Sequence, residues 1–165
     1  MHDVSQQVQE ASGAGAAELG HAAGVMIHER RVVPRRWRLA TEAGPGAIVP
    51  HATWRELEAQ GVDLSGVGVS IENHEDARVV RDLLERVPVI AVAFPSWRDG
   101  RAYSQVRKIR YLWGYRGVVL AHGEVLRDQL LWMSRCGVDA FHLREDQDPV
   151  ASLAAFSLYS AFYQY

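Results

Sequence analysis

The chain has 165 residues, 48% of them hydrophobic and 23% charged, a composition that excludes fibrous and wholly disordered classes. At this length roughly 68–70% of the unfolded surface is buried on folding, enough for one domain with a tail. A net charge of −2 gives no electrostatic case for a nucleic-acid partner, although clustered arginines remain able to hold one small anion.

The single cysteine, Cys136, excludes an internal disulfide, a zinc site of paired cysteines and an iron–sulfur cluster held by four thiolates of this chain. The longest apolar runs, such as Val89 to Pro95, fall far short of the roughly 20 residues of a membrane span. The first residues lack the basic and apolar regions of a secretory signal. Cytoplasmic residence and no membrane partner are therefore expected.

Residues 1–24 contain ASGAGAAELGHAAG and few large apolar side chains, so burial cannot offset their ordering entropy and a flexible tail is expected. Residues 25–165 then form a single α/β domain that begins with a small hairpin at 25–40. There MIHERRVVPRRWRL partly alternates apolar and charged residues around Pro34. After Gly44-Pro45-Gly46 come short apolar runs separated by helical periods. The candidate strands are Ala47 to Pro50, Val67 to Ile71, Val89 to Phe94, Gly117 to Ala121 and Val138 to Leu143.

Each is followed by a helix signal. Thr53 with Glu56 has capping-box spacing, and Trp54 with Leu57 supplies an apolar face. Asn73 and Asp76 repeat that arrangement. Ser104 is read as opening a third helix through Val106 and Ile109, and Leu126, Leu130 and Met133 mark a fourth. Asp148 before Pro149 starts a fifth. Five strand–helix repeats imply a parallel sheet with right-handed crossovers, either an open doubly wound sheet or a partial barrel.

The segments FPSWRDGRAYSQVR and GYRGVVLAHGEVLRDQLLWMSRCGVDAFHL resemble a bacterial family of unknown function described as an oxidoreductase involved in sulfite reduction. The resemblance extends weakly through MIHERRVVPRRWRLA and GAIVPHATW. Its specific pieces are Asp99-Gly100-Arg101 with Tyr103-Ser104, and Leu126 to Leu130 followed by Arg135-Cys136-Gly137 and Asp139-Ala140-Phe141. It implies an oxidoreductase, or an accessory subunit of one, in assimilatory sulfite reduction and cysteine biosynthesis, with sulfite reductase components as partners. No mechanism and no cofactor come with it. Family members read acidic where His142 stands, and His51, His74 and His122 lie outside the pattern.

Ligands of parallel sheets bind beyond the carboxyl ends of the strands. The long passage Phe94 to Ser104 leads there into a helix, so Asp99, Arg101, Tyr103, Ser104 and Arg107 are candidates for an oxyanion site, with Arg127 and Asp128 from the next connection. The competing reading makes Asp99-Gly100 a turn, Ser104 a cap and Asp99 an arginine partner. For Arg127 a salt bridge to Glu124 or Asp99 is the expected fate. Cys136, at a helix end, is expected to pack as a small hydrophobe and not to act as a nucleophile.

His51, His74 and His122 follow strand ends near Glu72 and Glu124. No two of them have ligand spacing on a helix, so no metal site is assigned. Catalytic residues and cofactor stay open, and no glycine pattern marks a nucleotide site. Phe156, Tyr159, Phe162, Tyr163 and Tyr165 form a stripe, mostly core-facing, with an excess suited to an interface. Three functions fit: an oxyanion-binding oxidoreductase of sulfite reduction, a non-catalytic protein that docks on sulfite reductase, and a lyase or isomerase on a partial barrel.

Overall fold

A computed structural model describes residues 24–157; the expected tail and the aromatic positions Tyr159 to Tyr165 lie outside the described residues. The strands are β1 (Val25–His28), β2 (Arg31–Pro34), β3 (Arg38–Leu39), β4 (Ala47–Pro50), β5 (Gly68–Ile71), β6 (Val89–Phe94), β7 (Val118–Gly123) and β8 (Ala140–Phe141). They form one sheet of eight in the order β2-β1-β8-β7-β6-β5-β4-β3. Strands β3 to β8 are mutually parallel, and β1 joins β8 antiparallel through Ile27↔Phe141.

All five expected strands exist, but the sheet is neither five-stranded nor purely parallel. The hairpin is part of the sheet, because β1 completes the hydrogen bonding of β8. The order of β3 to β8 is sequential, with no switch point, so the doubly wound alternative gives way to a curled half-barrel.

The curl has a simple cause. β2 and β3 lie at opposite edges of the sheet, about 34 Å apart if seven strand spacings were laid flat. Yet Pro34 and Arg38 are joined by four virtual bonds, which reach at most about 15 Å. The edges must therefore approach each other, and residues 35–37 strap the open side.

Alternation along the strands produces two cores. Val49, Val69, Ile90, Val92, Val119 and Phe141 face the helices in one cluster. Met26, Ile48, Val89, Ala91, Leu120 and Ala140 face the trough, with Trp37 of the strap and Val33 packed on them. Small side chains leave room there for Trp37, whose ring meets His28 edge-on at 5.7 Å.

The helices on the convex side are α1 (His51–Ala59), α2 (Arg101–Arg107), α3 (Leu130–Cys136) and α4 (Pro149–Ser152). Their starts differ in part from the sequence expectation. Pro50 occupies the cap of α1 without a side-chain bond, which leaves Thr53 inside the helix. After β5 the helix is a short 3₁₀ segment, Ala77–Leu83, capped by Asp76. Asp148 caps α4 as read, accepting from Val150 and Ala151. Gly137 ends α3 at φ 113, a left-handed conformation that glycine adopts without strain.

α2 continues into one π turn, Lys108–Leu112, from which Arg110 reaches back into the fold. Its guanidinium donates to the carbonyls of Gly137 at 3.2 Å and Gly117 at 3.1 Å, and to the Tyr115 carbonyl and the Asp139 carboxylate. Asp139 also accepts from the Val119 amide at 2.9 Å. One cation thus ties α2 to the starts of β7 and β8. Arg110→Ala is expected to lower stability by roughly 1.5–3 kcal/mol, the scale of lost charged hydrogen bonds. Arg107→Ala, at an exposed position one turn away, should change it by less than about 0.5 kcal/mol; urea melts of the two variants compare them.

Candidate functional site

Two regions stand at the carboxyl ends of the parallel strands, one outside and one inside the curl. The outer region contains the expected oxyanion residues. Asp99 accepts from Arg101 Nε at 3.0 Å and from Nη2 at 2.6 Å, and from the Arg101 amide at 3.1 Å. The buried Asn73 amide group donates to the same carboxylate at 2.6 Å. These contacts, Arg101 foremost, hold Asp99 well below the usual carboxylate range, at about 2. The fork of Arg101 is thus engaged by Asp99, the partner the competing reading gave it.

Ser104 does not cap. α2 begins three residues earlier, at Arg101 with Gly100 before it, and Ser104 is exposed within it. Tyr103 packs inward, its ring 5.2 Å from Phe94, and burial raises its hydroxyl pKa. Arg107 lies over the Tyr111 ring at 5.9 Å. Arg127 and Asp128 are exposed just before α3. The expected salt bridge of Arg127 does not form among the described residues, because Glu124 pairs with Arg144 at 2.7 Å and Asp99 with Arg101. Cys136 is half-buried against the main core, as a packing residue should be.

The two connections do meet. Gln129 reaches the Trp97 carbonyl at 3.5 Å, and Tyr111 donates to the Arg135 carbonyl at 3.1 Å. Around this seam Trp97, Tyr111, Leu112 and Trp132 are 58%, 61%, 70% and 55% exposed. Arg98 covers the Trp97 ring and Arg135 the Trp132 ring. Residues 97–112 and 127–136 carry seven Arg or Lys against two Asp in a chain of net charge −2. Arg98, Arg107, Arg127 and Arg135 have no carboxylate partner among the described residues.

The inner region is a cleft of about 450 Å³ at the mouth of the trough, lined by Leu39, Ala40, Thr41, Ile48, Pro50, Ser70, Glu72 and His122. His122 is on β7, and His142 lies just past β8, each two residues beyond the paired trough positions Leu120 and Ala140. The His142 amide donates to the Ala121 carbonyl at 2.9 Å, so the two histidines are neighbours across the β7–β8 ladder. His142 is 7% exposed. Nε2 of both rings is shielded from solvent and has no partner among the described residues.

Burial pushes His142 down to about 3, with Arg35 and His122 adding like charge and the Trp37 main chain opposing. Burial alone pushes His122 down to about 4. Both rings are neutral near pH 7. A second hollow of about 280 Å³ lies by Trp54, Glu58 and Arg86, where Glu58 is already bonded to Arg55 and Arg86.

A family model for bacterial proteins of unknown function, DUF934, matches residues 68–165, more than half of the chain. The chain belongs to this family. No curated protein and no solved structure matches it. The matched part of this DUF934 member contains both convex connections, β7 and His142, whereas the strap and the wall formed by residues 39–50 lie before it.

No group of three or more His, Cys, Asp or Glu side chains suited to a metal occurs among the described residues. His51 starts α1 and His74 is exposed beyond β5; neither lines the mouth with His122. Sequence reading missed Thr41 and Ser70 as residues of the cleft, and the meeting of His142 with His122. One signal was present, because Leu120-Ala121-His122 and Ala140-Phe141-His142 repeat one alternation on two successive strands. Thr41 comes to the mouth only through the strap.

No helix among the described residues is long and apolar enough to cross a membrane. Two predictions concern stability. Since both imidazoles are depressed from 6.5 in the folded chain, the unfolded chain binds more protons below that pH. Stability should be full above pH 6.5 and decline as pH falls toward 4. Urea melts across this interval should show a shallower decline for His142→Gln. At the outer site, Asp99→Ala should lower the Tm more than Arg101→Ala, because it also strands the buried Asn73 amide. Millimolar sulfite should leave the wild-type Tm unchanged and raise that of Asp99→Asn, whose Arg101 is released.

Proposed function

We propose that this chain is an accessory subunit of assimilatory sulfite reduction, which docks through the outer face of α2 and α3 on an acidic surface of a sulfite reductase component. The observation that carries the docking is the exposure of Trp97, Tyr111, Leu112 and Trp132 along α2, α3 and their connections, beside arginines with no carboxylate partner among the described residues. Trp, Tyr and Arg are the residue types that dominate binding energy at protein interfaces. A positive patch on a chain of negative net charge selects a negatively charged partner and speeds encounter with it.

The choice of sulfite reduction rests on the sequence resemblance through Asp99-Gly100-Arg101 and the Leu126 to Phe141 segment. Multi-electron reduction of sulfite needs redox cofactors. With one cysteine, this chain cannot contribute a four-thiolate cluster, so contact is the role its surface supports over electron transfer of its own. The oxyanion residues of the β6–α2 connection then serve the docking face: Asp99 orients Arg101 and stiffens the loop that presents Trp97 and Arg98.

The test is a binding titration of the full chain against purified sulfite reductase. Binding should weaken with added salt, as screening requires. Trp132→Ala should raise Kd by roughly 30-fold, the equivalent of about 2 kcal/mol at an interface hot spot. Arg135→Glu should slow association, and both variants should keep the wild-type Tm. Failure of the wild type to bind, or binding indifferent to both substitutions, would overturn the proposal.

A further inference from the structure

The mouth of the trough lies on the opposite face of the sheet from the docking helices, and strand alternation decides what it presents. Gly68, Ser70 and Glu72 share the trough face of β5 and its continuation. Ile48 and Pro50 of β4 stand beside them, paired with Gly68 and Ser70. On the other side β6 places Ala91 next to Ser70, with Ala93 two residues further on. These small side chains leave open the space from which Ser70 and Glu72 are reached. Ser70 is 8% exposed, yet its hydroxyl bonds no group among the described residues and keeps a surface on the cleft. A hydroxyl so deeply set is costly unless a donor or acceptor in the cleft completes it.

Glu72 stands about 6.6 Å further along the same face, exposed and without a cation partner among the described residues. Its main chain is fixed: the Gln105 side-chain amide donates to the Glu72 carbonyl at 3.0 Å, and the Glu72 amide donates to the Glu75 carboxylate at 2.7 Å. Of the residues that line the cleft, Glu72 alone is charged at neutral pH, because burial holds the His122 ring down at about 4. Arg35 acts on Glu145 and His142, neither of which lines the cleft. The mouth therefore selects positive charge. A metal ion is disfavoured, since no group of three ligands suited to one occurs among the described residues. An amino acid is disfavoured as well, since no cation in the wall receives its carboxylate. An ammonium group carries three donors and no acceptor, which matches a carboxylate beside a hydroxyl, while Leu39, Ile48 and Pro50 offer apolar surface to a carbon stem. A volume of about 450 Å³ falls within the range of small-molecule sites. The position, at the carboxyl ends of parallel strands inside a partial barrel, is where such folds bind their ligands.

We infer that the mouth binds a small primary aliphatic amine, its ammonium donating to the Glu72 carboxylate and the Ser70 hydroxyl and its carbon stem lying on Leu39, Ile48 and Pro50. The charge answers Glu72, the second donor completes Ser70, and the third stays hydrated at the open mouth. Discrimination is built in. An alcohol of the same length brings one donor and no charge, so it satisfies one of the two acceptors at most.

Three compounds separate the contributions: pentylamine, 1-pentanol without the charge, and norleucine, which adds a carboxylate to the same amine. Calorimetric titration of the full chain at neutral pH should show pentylamine binding at least about 10-fold tighter than either of the others, the scale of one charged hydrogen bond. Glu72→Gln should weaken pentylamine by a similar factor while keeping the wild-type Tm, since the side chain is exposed. Ser70→Ala should weaken it roughly 5-fold, the scale of one neutral hydrogen bond. In the wild type, the ¹³C resonance of the Glu72 carboxylate should move with pentylamine and stay in place with 1-pentanol. That spectrum keeps the test decisive where a variant fails to fold.

No binding of pentylamine at millimolar concentration, equal binding of 1-pentanol, or an affinity indifferent to Glu72→Gln would overturn the inference. Equal binding of norleucine would overturn the exclusion of a carboxylate, and a Glu72 resonance moved by Mg²⁺ alone would replace the amine with a metal ion. None of these measurements involves sulfite reductase, so failure here and failure of the docking proposal are told apart.

Discussion

The fold depends on a short connection between the two edges of its own sheet. Four virtual bonds from Pro34 to Arg38 cannot span eight strands laid flat, so the sheet curls until its first and last members approach. The small trough residues follow from that: Ala91, Ala140 and Gly68 line a surface that must close around Trp37. A Cβ at Gly68 would run into the Val89 side chain, so glycine holds β5 close to β6 on this side. The mouth beyond them is what the strap leaves uncovered.

The sequential strand order puts the crossovers on one side, and the chain spends its larger apolar residues there. Arg110 then fixes the helical layer to the sheet by satisfying carbonyls and a carboxylate that converge from β7, α3 and β8. Its side chain is 18% exposed, yet each of its three nitrogens has a partner, which makes a nearly buried guanidinium tolerable. Arg107 of α2 and Arg135 of α3 have no carboxylate partner among the described residues and are exposed, leaving the aromatic and basic surface described above. A soluble domain normally covers or disperses large exposed aromatic groups, and their concentration on one face is the physical mark of an interaction surface.

Concave and convex faces therefore divide the chemistry. The convex face offers charge and aromatic area, both suited to a macromolecular partner. The concave mouth offers hydroxyls, a carboxylate and a modest volume, suited to a small molecule. They share strands β6 and β7: Phe94 ends one strand, its carbonyl accepts the Glu124 amide at 2.7 Å, and the sharp turn at Gly123 brings the two connections together. A Cβ at Gly123 would lie 2.7 Å from the Phe94 carbonyl oxygen, and its φ of 98 also favours glycine.

The sequence by itself determined which residues become strands, because runs such as Val89 to Phe94 and Val118 to Ala121 are apolar on both faces and only a covered parallel sheet buries both. It also determined the Asp148-Pro149 helix start, the packing role of Cys136 and the alternative in which Asp99 serves Arg101, since each rests on contacts within a few residues. Helix starts at Thr53 and Ser104 misled, because capping preference is worth only about 1 kcal/mol and the strand ends at Pro50 and the turn at Gly100 set those boundaries instead. The pairing of Arg110 with Asp139, the lack of a carboxylate partner for Arg127 among the described residues and the meeting of His122 with His142 were decided by tertiary structure alone. Each depends on which strands are neighbours and on how tightly the sheet is curled, and that is fixed by a strap joining two edges far apart in strand order, a long-range constraint that local periodicity does not encode.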